Sequence, residues 1–160
     1  MKQICLLLAL CCLLCGCAAS APAETEATMP VYPAASSSDF SLPVGYALAD
    51  ETTAAIIKTE DGQIVGGIIN TELDTACLEE SDSESIFEYL TSYPRCEYIS
   101  QNADGFKAIS MAVTDPQTSN REETARYLFG KDGLCYDLWL DSAALSHDER
   151  TVIRKAITGR

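Results

Sequence analysis

Three cysteines and a single histidine are the reactive side chains in the body of this chain: Cys77, Cys96, Cys135 and His147. A thiolate beside an imidazole makes a nucleophile and base pair, and Cys77 or Cys96 with His147 would supply one. Their positions along the chain leave the distance open, and no local signature of a cysteine hydrolase surrounds any of them. Zinc is a second chemistry for Cys and His, but the Cys-x-x-Cys spacing is missing. A disulfide is the third. Three cysteines allow at most one internal bridge with one free thiol, or all three stay reduced, and spacing does not choose the pair. A Ser/His/acid triad would have to use His147, and no nucleophile elbow accompanies it. The acids Glu79, Glu80, Asp82 and Glu84 cluster at a helix start, where the dipole favours them. A calcium loop needs alternating acids about a central glycine, an order not found here. Glu122-Glu123 and Asp148-Glu149 fall at element starts, and neither suggests two carboxyls facing across a cleft. These residues assign no catalytic group, no metal and no cofactor.

The remaining chemistry lies at the N-terminus. Lys2 gives a positive start, residues 4–14 are an unbroken apolar run, and Gly16 precedes Cys17. Charge, apolar stretch and small residue in that order make a secretory signal. The run of eleven residues is too short to span a bilayer, which takes about 20. Leu14-Cys15-Gly16-Cys17 resembles the lipobox of bacterial lipoproteins, with Cys15 standing where that family usually carries Ala, Ser or another small residue. The resemblance covers these residues alone. It implies cleavage before Cys17, diacylglycerol and palmitate on that cysteine, and a place at the outer face of a bacterial membrane. Five of the eight cysteines (Cys5, Cys11, Cys12, Cys15 and Cys17) then belong to the signal and the anchor.

The segments follow from composition. Residues 1–16 read as a signal peptide, 17–38 as the lipidated cysteine with a flexible linker, and 39–160 as one domain. The linker is Ala, Ser, Thr, Glu and Pro, including Ser36-Ser37-Ser38, and cannot bury enough apolar surface to offset its ordering entropy. The whole chain carries a net charge of −13, and loss of Lys2 with residues 1–16, which hold no acid, takes it to −14. Such a charge repels nucleic acid phosphates and anionic lipid surfaces.

Several elements must position the side chains named above. Phe40 and Leu42 alternate with polar neighbours, as in a half-buried strand. Residues 52–60 and 63–71 read as a hairpin about Asp61-Gly62, a favoured two-residue turn. That turn would set Ile57 against Gly66 and Ile56 against Gly67. Gly66-Gly67 fits no phosphate loop and reads as a bulge or a place where a helix comes close to the sheet. Residues 82–93 form the first helix, with Ser81 and Glu84 as a capping box. Its apolar face is Ile86, Phe87, Leu90 and Tyr93, and Pro94 stops it. Residues 96–100 and 106–114 are strands. Residues 123–130 and 134–140 form a hairpin about Asp132-Gly133, pairing Tyr127 with Leu138 and Phe129 with Tyr136. On its other face Arg126 lies across from Trp139 and diagonal to Asp137, as in a cation–π pair worth about 0.5–1 kcal/mol when exposed. Residues 146–158 form the last helix, with Ser146 and Glu149 as a capping box and Val152, Ile153, Ala156 and Ile157 as its apolar stripe.

Strands, helix, four strands and helix make an α+β domain: a mostly antiparallel twisted sheet with two main helices, covered on both faces. This order resembles the PsbP/Mog1 group, in which a twisted antiparallel sheet lies between helices. The expected function is a membrane-anchored extracytoplasmic lipoprotein acting as a non-enzymatic interaction or accessory module. Its partners would be the membrane, through the lipid on Cys17, and an envelope protein. Two alternatives stand beside it. One is a thiol-dependent envelope redox protein or enzyme using Cys77, Cys96 or Cys135; the other is a small-ligand-binding lipoprotein.

Overall fold

The computed structural model describes residues 40–49, 54–80, 83–93, 95–103 and 105–159. The signal, Cys17, the linker, Ser81, Asp82, Pro94 and Arg160 lie outside the described residues.

Seven strands form one sheet: β1 Tyr46–Leu48, β2 Ala55–Lys58, β3 Ile64–Asn70, β4 Cys96–Ala103, β5 Phe106–Thr114, β6 Arg121–Lys131 and β7 Leu134–Asp141. Their spatial order is β1-β2-β3-β7-β6-β5-β4. Every neighbouring pair is antiparallel. Helix α1 is Glu84–Thr91, α2 is His147–Thr158, and a 3-10 turn spans Thr75–Leu78. None of the described helices is long and apolar enough to cross a membrane.

Side chains alternate across a strand, so each long strand feeds two cores. Phe129, Tyr136, Leu138 and Leu140 join Ile56, Ile68, Leu145, Ile153 and Ile157 in one core, beneath α2. Leu128, Ile109 and Met111 join Cys77, Ile86, Tyr89, Leu90 and Tyr93 in the other, beneath α1. The two helices therefore cover opposite faces of the sheet, as the doubly apolar strands require.

The β6–β7 hairpin has the expected register: Tyr127 faces Leu138 and Phe129 faces Tyr136. Asp132 and Gly133 both take positive φ, 53° and 79°, as a tight two-residue turn demands. The β2–β3 hairpin differs from its expectation. Ile56, not Ile57, lies opposite Gly66, and Ile57 lies opposite Ile64 across a bulge. Asp61 does not adopt the positive φ that the two-residue turn needs. Its carboxylate instead accepts from the Gln63 amide at 2.9 Å, and Lys58 and Gln63 close a four-residue loop. A side-chain hydrogen bond to the nearby backbone thus competes successfully with the tighter turn.

Other expectations are corrected in the same physical terms. Phe40 and Leu42 form no strand, yet both pack on the core beneath α2. Strand β4 runs three residues beyond the expected Ser100, pairing to Ala103 and Phe106. Helix α1 starts at Glu84 with Ser83 as N-cap, and Ser83 makes no side-chain capping bond. Its buried face carries Tyr89, while Phe87 is 54% exposed, because the Tyr89 hydroxyl has buried polar partners beneath the helix. In α2 only Ile153 and Ile157 of the expected stripe are buried; Val152 and Ala156 are exposed. The Arg154 guanidinium covers Phe106 and Tyr127 instead, 4.8 and 5.8 Å from the ring centres.

The α2 capping box forms as read from Ser146 and Glu149. Glu149 Oε2 accepts from the Ser146 hydroxyl at 2.7 Å and its amide at 2.8 Å. Glu149 Oε1 accepts from the Tyr46 hydroxyl at 3.0 Å, which ties the helix start to β1. These bonds from Ser146, then Tyr46, lower the Glu149 pKa from its ordinary 4.5 to about 2. A carboxyl depressed in the folded state stabilises the fold fully above its unfolded pKa and loses that contribution as pH falls through the folded value. The Glu149 contribution is therefore complete above about pH 4.5 and gone below about pH 2. NMR titration of the Glu149 carboxyl should give a midpoint near 2, and Ser146→Ala should move it upward. An unmoved midpoint in that variant would disprove the assigned cause.

Candidate functional site

The charged centre of the molecule is Arg126 and Asp137. Register places Arg126 opposite Trp139 and Asp137 opposite Leu128, so both polar groups point beneath α1. Arg126 is 2% exposed and Asp137 0%. Arg126 Nη2 forms an ion pair with Asp137 Oδ2. The same nitrogen donates to the Tyr93 hydroxyl at 2.9 Å and the Tyr89 hydroxyl at 3.1 Å. The Tyr89 hydroxyl donates to Asp137 Oδ2 at 2.6 Å. The guanidinium carbon also lies 4.6 Å from the Tyr93 ring centre and 5.6 Å from that of Tyr89.

Arg126 lies across from Trp139 and close to Asp137, as the register predicts, but the guanidinium is buried and bonds to Asp137 and two tyrosines. A desolvated guanidinium needs hydrogen-bond acceptors, which an indole face does not offer. Trp139 covers glycine instead: a Cβ built on Gly67 would lie 2.6 Å from its Nε1. This ring, not a helix, explains the close approach expected at Gly66-Gly67. Burial works against the Arg126 charge, but Asp137 and the tyrosines more than offset it and raise the pKa. Burial, then the Asp137 charge, pushes the Tyr89 hydroxyl far up. The cluster is sealed from solvent, and its role is to fasten α1 to β6 and β7.

The thiols separate into two groups. The 3-10 turn lies over Gly130, whose built Cβ would meet Thr75 at 3.4 Å and Leu78 at 3.6 Å. Gly130 pairs with Cys135, and this contact brings Cys77 within hydrogen-bonding reach of Cys135. Cys96 stands at the start of β4. All three are free thiols. Burial pushes Cys135 up to about 11 and raises Cys77 and Cys96 as well, opposite to the shift that activates a thiol nucleophile. His147 is exposed at the first turn of α2. The thiols Cys77 and Cys135 face α1, so the sheet stands between them and His147. Among the described residues no three His, Cys, Asp or Glu side chains converge as metal ligands would.

A cleft of about 290 Å³ opens between α1 and the edge of the sheet. Phe87 and Tyr98 line it in edge-to-face contact with each other, ring centres 6.5 Å apart. Glu84, Ser100 and Lys107 line it as well. Lys107 is 3% exposed. Its ammonium donates to Asn102 Oδ1 at 2.8 Å and to the Glu80 carbonyl. Sequence reasoning singled out none of the β4 and β5 residues here. The available signal was Lys107 itself, one cation at a core-facing position of an apolar strand.

Comparison with protein-family models, with characterised proteins and with solved structures finds no match to this chain.

Proposed function

We propose that this chain is a lipid-anchored extracytoplasmic protein that works by binding an envelope protein and carries out no covalent chemistry. The observation that carries the reading is the order of Lys2, the apolar run 4–14, Gly16 and Cys17. The described domain is consistent with a binding role. Its buried Arg126–Asp137 pair is consumed in holding α1, and its thiols are shifted away from reactivity. An acidic body with a net charge of −14 after loss of the signal resists collapse onto anionic lipid, which leaves its surface available to a protein partner.

The test is Cys17→Ala in a bacterial host, read by membrane fractionation and by incorporation of labelled fatty acid. The natural chain should sediment with membranes and take up label; the variant should lose both. A variant that still fractionates with membranes overturns the anchor.

A further inference from the structure

We propose that the outer edge of β4 docks an extended cationic segment of the partner protein, which adds as an eighth strand and sends alternate side chains into the cleft beneath α1. This deepens the binding role proposed above and rests on it.

The backbone supplies the first argument. Among the described residues β4 has a strand neighbour on one side only, β5. The Thr114 amide donates to the Arg95 carbonyl, and the hairpin closes at Ala103 and Phe106 in the same register. In an antiparallel pair, hydrogen-bonded and non-bonded positions alternate. Glu97, Ile99, Gln101 and Ala103 therefore bond inward to β5. Cys96, Tyr98, Ser100 and Asn102 turn their N–H and C=O groups outward. A row of free donors and acceptors at strand spacing is a template for another strand.

Sequence supplies the second argument. Exposed edges are normally blunted by shortness, lysine or proline. The opposite edge, β1, has three residues. Strand β4 has eight, with neither lysine nor proline, and Glu97 as its single charge. That charge is paired with Arg121 at 2.9 Å. Ile99 is 70% exposed on one face of the strand. On the other face Tyr98 and Ser100 line the cleft. A strand added to the edge would direct every second side chain toward Phe87 and Tyr98, the arrangement by which added peptides are recognised.

Charge chooses the occupant. Glu84 lines the cleft and Glu88 is exposed one turn further along α1. The one cation at the cleft, Lys107, has its ammonium held by Asn102 and the Glu80 carbonyl. A cationic segment meets carboxylates here, whereas a second copy brings the same net charge of −14, after loss of the signal, to the contact.

The experiment uses the full chain in detergent with two synthetic probes matching the eight residues of β4: alternating Lys-Val and alternating Glu-Val peptides. The Lys-Val peptide should bind and slow hydrogen exchange at the outward amides of Tyr98 and Ser100. The Glu-Val peptide should bind about tenfold or more weakly. Ser100→Pro removes an outward donor while the inward bonds to β5 remain, since edge strands tolerate proline there. It should abolish binding with thermal stability nearly unchanged. Glu84→Lys, on the helix surface, should reverse the preference between the peptides. Absence of protection at Tyr98 and Ser100 overturns the proposal. So does equal binding of both peptides, or a self-dimer that Ser100→Pro dissolves. Loss of edge binding leaves the Cys17 anchor standing, and loss of membrane fractionation leaves edge binding standing, so the two failures are distinguishable.

Discussion

Asp137→Leu lowers the stability of the domain by about 3–5 kcal/mol, the usual consequence of leaving one member of a buried ion pair without its partner. The variant keeps Arg126 in a site where 2% of it is exposed, and the two tyrosine hydroxyls do not neutralise its charge. Arg126→Met leaves the Asp137 carboxylate buried with Tyr89 as its remaining donor, and should cost a similar amount. The double variant Arg126→Met/Asp137→Leu behaves differently. Among the described residues Arg126 Nε and Asp137 Oδ1 have no hydrogen-bond partner, so the cluster is incompletely satisfied there. Replacing such a pair with apolar side chains of similar volume is commonly neutral or stabilising by about 1–4 kcal/mol. Denaturant unfolding of the three variants is the measurement. Single losses that simply add in the double variant would show that the pair is not the source of the effect.

Gly66→Ala should cost about 1–3 kcal/mol, the range for overpacking a filled interior. A Cβ at Gly66 would lie 2.5 Å from the Trp139 carbonyl oxygen and 2.7 Å from Leu140 Cδ2. The oxygen belongs to the neighbouring strand's backbone, so β3 and β7 must separate to admit the methyl group. Trp139 is the only tryptophan in the chain, which makes its fluorescence a direct report of that shift. Gly133→Ala is the contrasting variant: open space surrounds Gly133, and its φ is +79°. Its loss of about 1–2 kcal/mol comes from the left-handed backbone alone, with tryptophan emission unchanged. A Gly66→Ala domain of natural stability and emission would remove the assigned clash.

How far the fold could be read depended on the range of the forces involved. The β6–β7 hairpin was legible because Asp132-Gly133 fixes a turn locally and the strands on either side inherit its register. The α2 cap was legible because Ser146 and Glu149 are three residues apart and satisfy each other. Asp61-Gly62 carries the same turn signature, yet the Asp61 carboxylate captured the Gln63 amide and moved the register. Helical spacing put Phe87 on the buried face of α1 and left Tyr89 off it, whereas the fold buries Tyr89 and exposes Phe87. Asp137, far along the chain, decided it.

The sequence by itself determined the order of Lys2, apolar run and Cys17 at the N-terminus, the acidic charge, the hairpin signals and the demand for cover on both sheet faces. Each is a property of composition or of residues a few positions apart. Only the tertiary structure decided that Arg126 and Asp137 are buried together against Tyr89 and Tyr93, that Cys77 meets Cys135, and that β4 becomes an edge beside a cleft. Those outcomes depend on desolvation and on strand order. Both arise when segments distant in the chain compete for the same buried space, and neither is encoded in any one stretch of residues.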